Sequence, residues 1–145
     1  MFKNFKIFFF VSLLLGLFNE VIANDDFFEE AEKKFNEKKI ENSKFLFQRS
    51  IVYNPKNAKA YLYLAKIYKN EKNQIKELKN LETTLLLEPN NEEAMSMMIE
   101  IKLEKSDYSK VKELIKNFKS ICNNLCEKNK LFDEKLKNIE TKNES

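Results

Sequence analysis

The chain repeats itself at an offset of 34 residues, and this period constrains its fold more than any other feature. Pro55 and Pro89 are separated by this offset. Other apolar, small and asparagine residues recur at the same offset, in the pairs Phe27 and Tyr61, Ala31 and Ala65, Phe47 and Leu81, Ile51 and Leu85, Tyr53 and Leu87, and Asn57 and Asn91. A period of this length usually encodes one supersecondary unit that buries its apolar face against copies of itself. The period therefore predicts a stack of helix hairpins.

The first 23 residues form a separate unit with the features of a secretory signal. A basic start precedes an apolar run over 7–18, and the small residue Ala23 stands at the expected cleavage point. The run is shorter than the ~20 residues that a membrane-spanning helix needs. We expect a cleavable signal peptide over 1–23, with an uncleaved membrane tether as the alternative. The short, Lys-rich leader favours export to a bacterial periplasm, and a eukaryotic secretory lumen is the other compartment that would accept it.

The rest of the chain is long enough for one domain with a single continuous core. Its apolar pattern is helical to the end, without the alternation that predicts strands. We expect an all-α domain over 24–140 and a polar, disordered tail over 141–145. The expected units are hairpins at 24–57, 58–91 and 92–124, with a capping helix at 125–140. The first four helices should run from 24 to about 38 and over 40–53, 58–70 and 74–87.

Small and aromatic residues in these helices identify the repeat core. Ala31 and Ala65 fall where the two helices of a hairpin cross most closely, so a small side chain is needed there. Pro55 and Pro89 should end the second helix of each hairpin, because proline lacks a backbone donor and disfavours helical geometry at the residue before it. The remaining core positions are Tyr61, Leu64, Tyr68 and Leu81, and the inward face of the capping helix is Leu125, Leu131, Phe132, Leu136 and Ile139.

These residues resemble the tetratricopeptide repeat (TPR) family over about 24–124. The third repeat is degenerate, because Met95, Met98 and Ile99 replace the expected aromatic, aliphatic and small residues. The resemblance implies a right-handed superhelix of about three helix hairpins and a capping helix. It also implies a concave groove, lined by the first helix of each hairpin, in which a partner peptide or helix docks. By that geometry the groove candidates are Asp25, Phe28, Glu32, Asn36, Lys59, Leu62, Lys66, Lys69, Asn70, Ser96, Glu100 and Leu103.

The charges of these candidates form a basic middle with acidic flanks. A clamp for a peptide carboxylate would need Lys or Arg and Asn repeated on successive first helices, and Glu32 and Glu100 oppose that pattern. The simpler interpretation of each single residue is an ordinary solvated charge.

Two cysteines flank the last interhelix turn. An exported chain meets an oxidising compartment, so a disulfide between Cys122 and Cys126 is expected, with a stabilisation of only ~2 kcal/mol for so short a loop. Redox catalysis is the competing interpretation, but three residues separate these cysteines instead of the two in thioredoxin-like sites. The chain has no His, which excludes a two-Cys, two-His zinc site and the usual haem-attachment motif.

The composition argues for binding and against catalysis. The absence of His removes the commonest general base, and the only Gly, Gly16, lies in the leader, so no phosphate-cradling loop is expected. The net charge is only +3 with both signs interspersed, and Arg49 is the single Arg, so nucleic acid is not an expected partner. No enzyme activity and no cofactor are expected.

Two functions fit this sequence. The first is an exported adaptor that holds a protein or peptide partner in its groove during envelope assembly or secretion, with no stable membrane span after signal cleavage. The second is a structural subunit of an envelope complex that associates with copies of itself. The identity of the partner is not encoded in any motif.

Overall fold

A computed structural model describes residues 26–105 and 108–143. The predicted signal peptide and the last two residues lie outside these ranges. The described part contains no strand and folds into seven α-helices: α1 Asp26–Asn36, α2 Ile40–Tyr53, α3 Ala58–Asn70, α4 Gln74–Leu87, α5 Glu92–Glu104, α6 Tyr108–Ile121 and α7 Lys128–Asn143. The all-α prediction is confirmed, and none of these helices is long and apolar enough to cross a membrane.

Asparagine side chains fix the starts of three helices. The side-chain oxygens of Asn57, Asn73 and Asn91 accept hydrogen bonds from backbone N–H groups three residues later, at 3.0 to 3.1 Å. Each bond satisfies a donor that the first turn of a helix otherwise leaves without a partner. Since Asn57 and Asn91 are separated by the repeat offset, the same cap starts the first helix of two successive hairpins.

Lysines with left-handed backbone conformation end the first helices of two hairpins. Lys38 and Lys72, also 34 residues apart, have φ angles of 61° and 56°. At the second of them, the backbone N–H of Asn73 donates to the carbonyl of Tyr68 at 2.9 Å. This is the 6→1 bond of a Schellman motif, in which glycine is the usual left-handed residue. The left-handed turn at Lys38 explains why α1 ends at Asn36, two residues before its predicted end.

Two apolar clusters meet at α3. The first lies between α1, α2 and α3 and contains Ala31, Phe47, Leu64 and Tyr68. The second runs from α3 to α7 and contains Ala65 and Leu81. Ala31 and Ala65 are fully buried, as their close helix crossings require, whereas Tyr61 is half-buried and Pro55 and Pro89 lie exposed in turns. Because α3 supplies residues to both clusters, it joins the two halves of the core.

Helix α5 is buried on nearly every side. All six residues from Ala94 to Ile99 are buried, including three methionines. This helix packs between α4, α6 and α7, so its Met-rich sequence fills the centre of the larger cluster. The flexible Met side chain suits such an irregular space. The residues of this hairpin that depart from the repeat pattern, Met95, Met98 and Ile99, therefore lie in a helix that is buried on nearly every side.

The capping helix begins at Lys128, three residues later than predicted. The carboxylate of Glu92 accepts backbone hydrogen bonds from Asn124 at 3.0 Å and from Leu125 at 2.9 Å. The backbone N–H of Asn123 is the main cause of the lowered pKa of Glu92, and those of Leu125 and Asn124 add to it. These bonds accompany a bend over 123–125 and a turn at 126–127, and α7 begins after them.

The inward face of α7 differs in one residue from the prediction. Phe132 is fully buried, and its ring meets that of Phe118 edge to face at 5.6 Å between centroids. Leu136 is partly buried against the larger cluster. Leu131, which was predicted to face the last hairpin, is 47% exposed. The prediction for Leu131 is wrong, because the neighbouring Phe132 takes the inward position. The side chain of Ile139 lies outside the described residues.

Candidate functional site

A groove of about 1020 Å³ opens along α3, between α1 and the turns that precede α5 and α7. Its apolar lining includes Leu62, Pro89 and Leu125. Its charged and hydrogen-bonding side chains include Glu32, Lys59, Tyr63, Lys66, Glu93 and Lys128. These residues define the groove. A groove with an apolar floor and a few fixed polar groups has the general character of a binding site.

Tyr63 is the most firmly held side chain of the groove. Its hydroxyl donates to the Glu32 carboxylate at 2.6 Å, and its ring stacks on Phe47 with centroids 4.8 Å apart. Phe35 meets the same ring edge to face at 5.1 Å. The Lys66 ammonium lies 4.8 Å from the centre of the ring, a cation–π geometry. Burial, and then the bond to Glu32, raise the pKa of Tyr63 to about 12, so the hydroxyl stays protonated at neutral pH.

Charged side chains in and beside the groove pair with one another across successive first helices. Lys66 contacts Glu93 at 2.8 Å, and Lys69 contacts Glu100 at 2.6 Å. From the capping helix, Lys128 donates to the Ser96 hydroxyl at 2.8 Å and also contacts Glu100. Lys66 and Lys69 of the basic middle are therefore joined by ion pairs to acidic residues of the third hairpin.

Lys59 is the exception among the groove lysines. It is exposed, and it forms no ion pair or hydrogen bond with any residue in the described part of the chain. An exposed ammonium without an intramolecular partner can meet an incoming carboxylate without first breaking a bond. Lys59 is therefore the cation that the groove offers most directly to a ligand.

The other predicted groove residues occupy varied positions. Glu32, Lys59, Leu62 and Lys66 line the groove, although Leu62 is mostly buried in the core. The remaining candidates lie elsewhere. Phe28 packs on Phe47 and Tyr63, and Ser96 and Leu103 are buried. Lys69 and Glu100 pair beside the groove, Asn36 and Asn70 are exposed at helix ends, and Asp25 lies outside the described residues.

Tyr63 was not among the predicted groove residues. It lies four residues after Lys59 and three before Lys66, so all three fall on one face of α3. This spacing could have identified Tyr63 from the sequence. The bond to Glu32 could not have been anticipated, because 31 residues separate the two.

The two cysteines lie at the edge of the turn that Glu92 holds. The sulfur atoms of Cys122 and Cys126 are within bonding distance, and their Cα atoms are 5.2 Å apart. This separation fits the geometry of a disulfide, and the disulfide itself stays a prediction. Across residues 26–105 and 108–143, no group of three or more His, Cys, Asp or Glu side chains could hold a metal ion.

Part of the chain matches a known protein family. A tetratricopeptide-repeat family model matches residues 46–79, which span most of α2, all of α3 and the start of α4. A comparison with curated protein sequences gave no match.

Solved structures with the same arrangement of helices belong to several TPR proteins. The TPR domain of Sgt2 from Aspergillus fumigatus aligns with a TM-score of 0.67 at 16% identity, over 86% of this chain and 84% of that one. The first TPR of Spaghetti (RPAP3), bound to the HSP90 peptide SRMEEVD, aligns at 0.65 and 15% identity, over 84% and 94%.

A third similar structure is bacterial. The type III secretion chaperone SycD of Yersinia enterocolitica, in complex with a peptide of the translocator YopD, aligns with a TM-score of 0.69 at 15% identity, over 86% of this chain and 99% of that one. At these identities the likeness establishes a shared fold. Together with the family match over residues 46–79 and the 34-residue period, it shows that the chain has the tetratricopeptide-repeat fold.

Proposed function

We propose that this chain is an adaptor that binds a peptide or protein segment in the groove. The fold supports this function, because two of the similar structures contain a bound peptide: the HSP90 peptide on Spaghetti and the YopD peptide on SycD. The chain's own groove supports it further with an apolar floor, the fixed ring of Tyr63 and the ammonium of Lys59, which has no partner among the described residues. We infer a binding role and not a catalytic one, and no cofactor is part of the proposal.

The observation that carries the proposal is the contrast between Lys59 and its neighbours. Lys66 is held by Glu93 and Lys128 by Ser96 and Glu100, so a ligand would have to displace these contacts. At Lys59 no contact is displaced. A peptide with a carboxylate close to an apolar side chain matches Lys59 together with Leu62 and Pro89. Surface ion pairs contribute little affinity on their own, so the apolar floor must supply part of the binding energy.

We further propose that the adaptor acts after export, in the periplasm, during envelope assembly or secretion. The basic and apolar leader and the cysteine pair support this location. The first test is cell fractionation with N-terminal sequencing of the mature protein. A mature chain that begins near Asn24 in the periplasmic fraction is expected, and an intact leader on a cytoplasmic protein would contradict the proposal.

The test of partner binding is a charge reversal at Lys59. Mature wild-type protein and its Lys59→Glu variant are used to capture partners from native envelope extracts, and captured proteins are measured by quantitative mass spectrometry. The variant should capture at least about tenfold less of the specific partner, which corresponds to ~1.4 kcal/mol. The control is Lys79→Glu, an equal charge change on an exposed position of α4 outside the groove. Equal capture by wild type and Lys59→Glu would overturn Lys59 as a docking residue.

Reversal at Lys66 or Lys69 gives a less direct test. Each change would place a carboxylate against Glu93 or Glu100 and would disturb the protein's own contacts between first helices. A loss of capture would then have two explanations, lost binding or an altered shape of the groove. The exposed position of Lys59 avoids this ambiguity.

A second function, assembly with copies of the same chain, is favoured by one observation. Val52 on α2 and Leu86 on α4 are 77% and 80% exposed, and they occupy equivalent positions one repeat apart. A repeated apolar position on the second helices could bury surface between copies. Light scattering during size-exclusion chromatography distinguishes the two functions. A monomer at every concentration would count against self-assembly, and a defined oligomer that Val52→Asp dissociates would support it.

A further inference from the structure

A second cavity, of about 310 Å³, lies beside the groove between the end of α3, the start of α4 and the C-terminal half of α5. Three carboxylates line it, those of Glu77, Glu100 and Glu104, and Lys69 and Lys72 are the basic residues of its lining. We call it the acidic cavity. Its formal charge is negative even with both lysines counted.

Glu77 has a different environment from the other two carboxylates. Glu100 contacts Lys69 at 2.6 Å, and Glu104 accepts a hydrogen bond from the Gln74 side chain at 3.0 Å. Glu77 is only 5% exposed, and its carboxylate receives no hydrogen bond or ion pair from the described residues. The carboxylate still reaches the open space of the cavity, and a partly desolvated carboxylate without a partner is stabilised by pairing with a cation.

The electrostatics of the cavity favour an added positive charge. Burial raises the pKa of Glu77, nearby Lys69 opposes that shift, and Glu104 and Glu100 add to it. The same carboxylates raise the pKa of Lys69, with Glu100 as the main cause. Of the two lysines that line the cavity, Lys69 is held by Glu100, and repulsion among the three acids is only partly compensated.

We propose that the acidic cavity binds a cationic side chain of a partner peptide, with arginine preferred over lysine. The planar guanidinium has several donors in a fixed arrangement and can bond two carboxylates at once, here Glu77 and Glu104. A lysine ammonium has the same charge but lacks the planar, fixed arrangement of donors that can bond two carboxylates at once. A metal ion is a poorer match, because none of the acidic groups in the described residues has an arrangement suited to a metal.

Glu100 lies between the acidic cavity and the groove. This carboxylate contacts Lys69 on the cavity side and Lys128 on the groove side. A peptide that lies in the groove could therefore extend a basic side chain into the cavity while an acidic group meets Lys59. This arrangement rests on the proposed function, because it assigns the cation to the same partner.

Nuclear magnetic resonance titration of the mature protein tests the site directly. The probe is N-acetyl-arginine amide, and the matched control is N-acetyl-citrulline amide, which has nearly the same shape without the charge. Arginine should cause saturable shifts of the backbone amides of Glu77, Ile101 and Glu104. Added salt should weaken the response, and citrulline should cause at least about a fivefold smaller one.

Protein variants assign the response to Glu77. The Glu77→Gln variant keeps the size of the side chain and should weaken arginine binding at least about fivefold, and Glu104→Gln provides a second variant. Glu82→Gln, an exposed position on the same helix, should bind arginine as wild type does. Equal shifts with citrulline, or unchanged binding by Glu77→Gln, would overturn the site. The same saturable shifts with calcium or magnesium chloride alone would overturn the organic cation in favour of a metal.

The two proposals fail in distinguishable ways. If arginine does not bind but Lys59→Glu still lowers partner capture, the acidic cavity is overturned and the groove is retained. If arginine binds but Lys59→Glu captures as wild type does, the cavity is retained and the docking role of Lys59 is overturned.

Discussion

At the scale of single residues, Tyr63 links the core to the groove. Its ring packs in the aromatic cluster of the first two hairpins, and its hydroxyl reaches the groove to bond Glu32. A side chain so placed fixes the shape of the surface that a ligand meets. The hydrogen bond from Tyr63, whose ring packs in the core, therefore holds Glu32 against α3.

The Tyr63→Phe variant measures this bond. At pH 8 the loss of the hydroxyl should lower the free energy of unfolding by about 0.5–1.5 kcal/mol. The pKa of Tyr63 is raised from 10.0 to about 12, so the folded state holds the proton more tightly than the unfolded state does. The stabilisation is complete below pH 10 and is lost as the pH rises from 10 towards 12. Urea unfolding at pH 8 and pH 11 should show a smaller difference between the two proteins at pH 11, and a constant difference would contradict the assignment.

The burial of Glu77 could not be predicted from the sequence. One repeat earlier the equivalent residue is Ser43, which is also buried and bonds the carbonyl of Ile40 in its own helix. The Ser43 hydroxyl finds a hydrogen-bond acceptor within its own helix, whereas the longer Glu77 side chain places its carboxylate in the space beside α5. The repeat pattern locates both positions, but the burial of Glu77 depends on packing between hairpins, which no local pattern encodes.

At the scale of elements, the left-handed lysines are a weakness in the repeat. Lys72 has a φ angle of 56°, a conformation that costs a residue with a Cβ atom about 1 kcal/mol and costs glycine little. The Lys72→Gly variant should therefore raise the free energy of unfolding by about 0.5–1 kcal/mol, as measured by urea denaturation. Lys79→Gly, in the exposed interior of α4, is the control and should lower it by about 1 kcal/mol. A destabilised Lys72→Gly protein would contradict the positive φ angle.

The close crossing of α3 and α4 gives a second prediction about elements. Ala65 is fully buried in the larger cluster. A leucine there has no space, so Ala65→Leu should lower the free energy of unfolding by about 1–3 kcal/mol through overpacking. Asn70→Leu, at the exposed end of the same helix, is the control for the change in composition. A melting temperature equal to that of the wild type would contradict the assigned packing.

The limits of helices follow from the sequence where their signals are local. Helices α2, α3 and α4 have the bounds that were predicted, because the Asn caps and the Asn54-Pro55 and Glu88-Pro89 steps act within a few residues. The start of α7 was predicted three residues early, because the turn before it is held by Glu92, which is more than thirty residues away in sequence. Local patterns thus predict a helix boundary only when local bonds determine it.

At the scale of the whole molecule, the helices form an array in which each element contacts chiefly its neighbours. The two apolar clusters share α3, and α7 packs mainly on α6 and α5. In such an array stability is approximately a sum of local units and the interfaces between them. The ends should therefore open more readily than the middle. The part of the groove that α3 lines lies over the middle and should be its most persistent part, whereas the parts lined by Glu32 of α1 and by Leu125 and Lys128 should open more readily.

Hydrogen exchange of the Phe132→Ala variant tests this gradient. Phe132 is the fully buried side chain of α7 and contacts Phe118, and its truncation typically costs 3–5 kcal/mol when the whole core must respond. Because α7 can separate without opening α1 or α2, the lost stability should appear as local opening of α7. Amides of α7 should exchange at least about tenfold faster, with a smaller effect in α6, while those of α1 and α2 keep their wild-type rates. A uniform acceleration along the whole chain would show that the helices unfold as one cooperative unit, and the persistence of the groove would then depend on the capping helix as much as on α3.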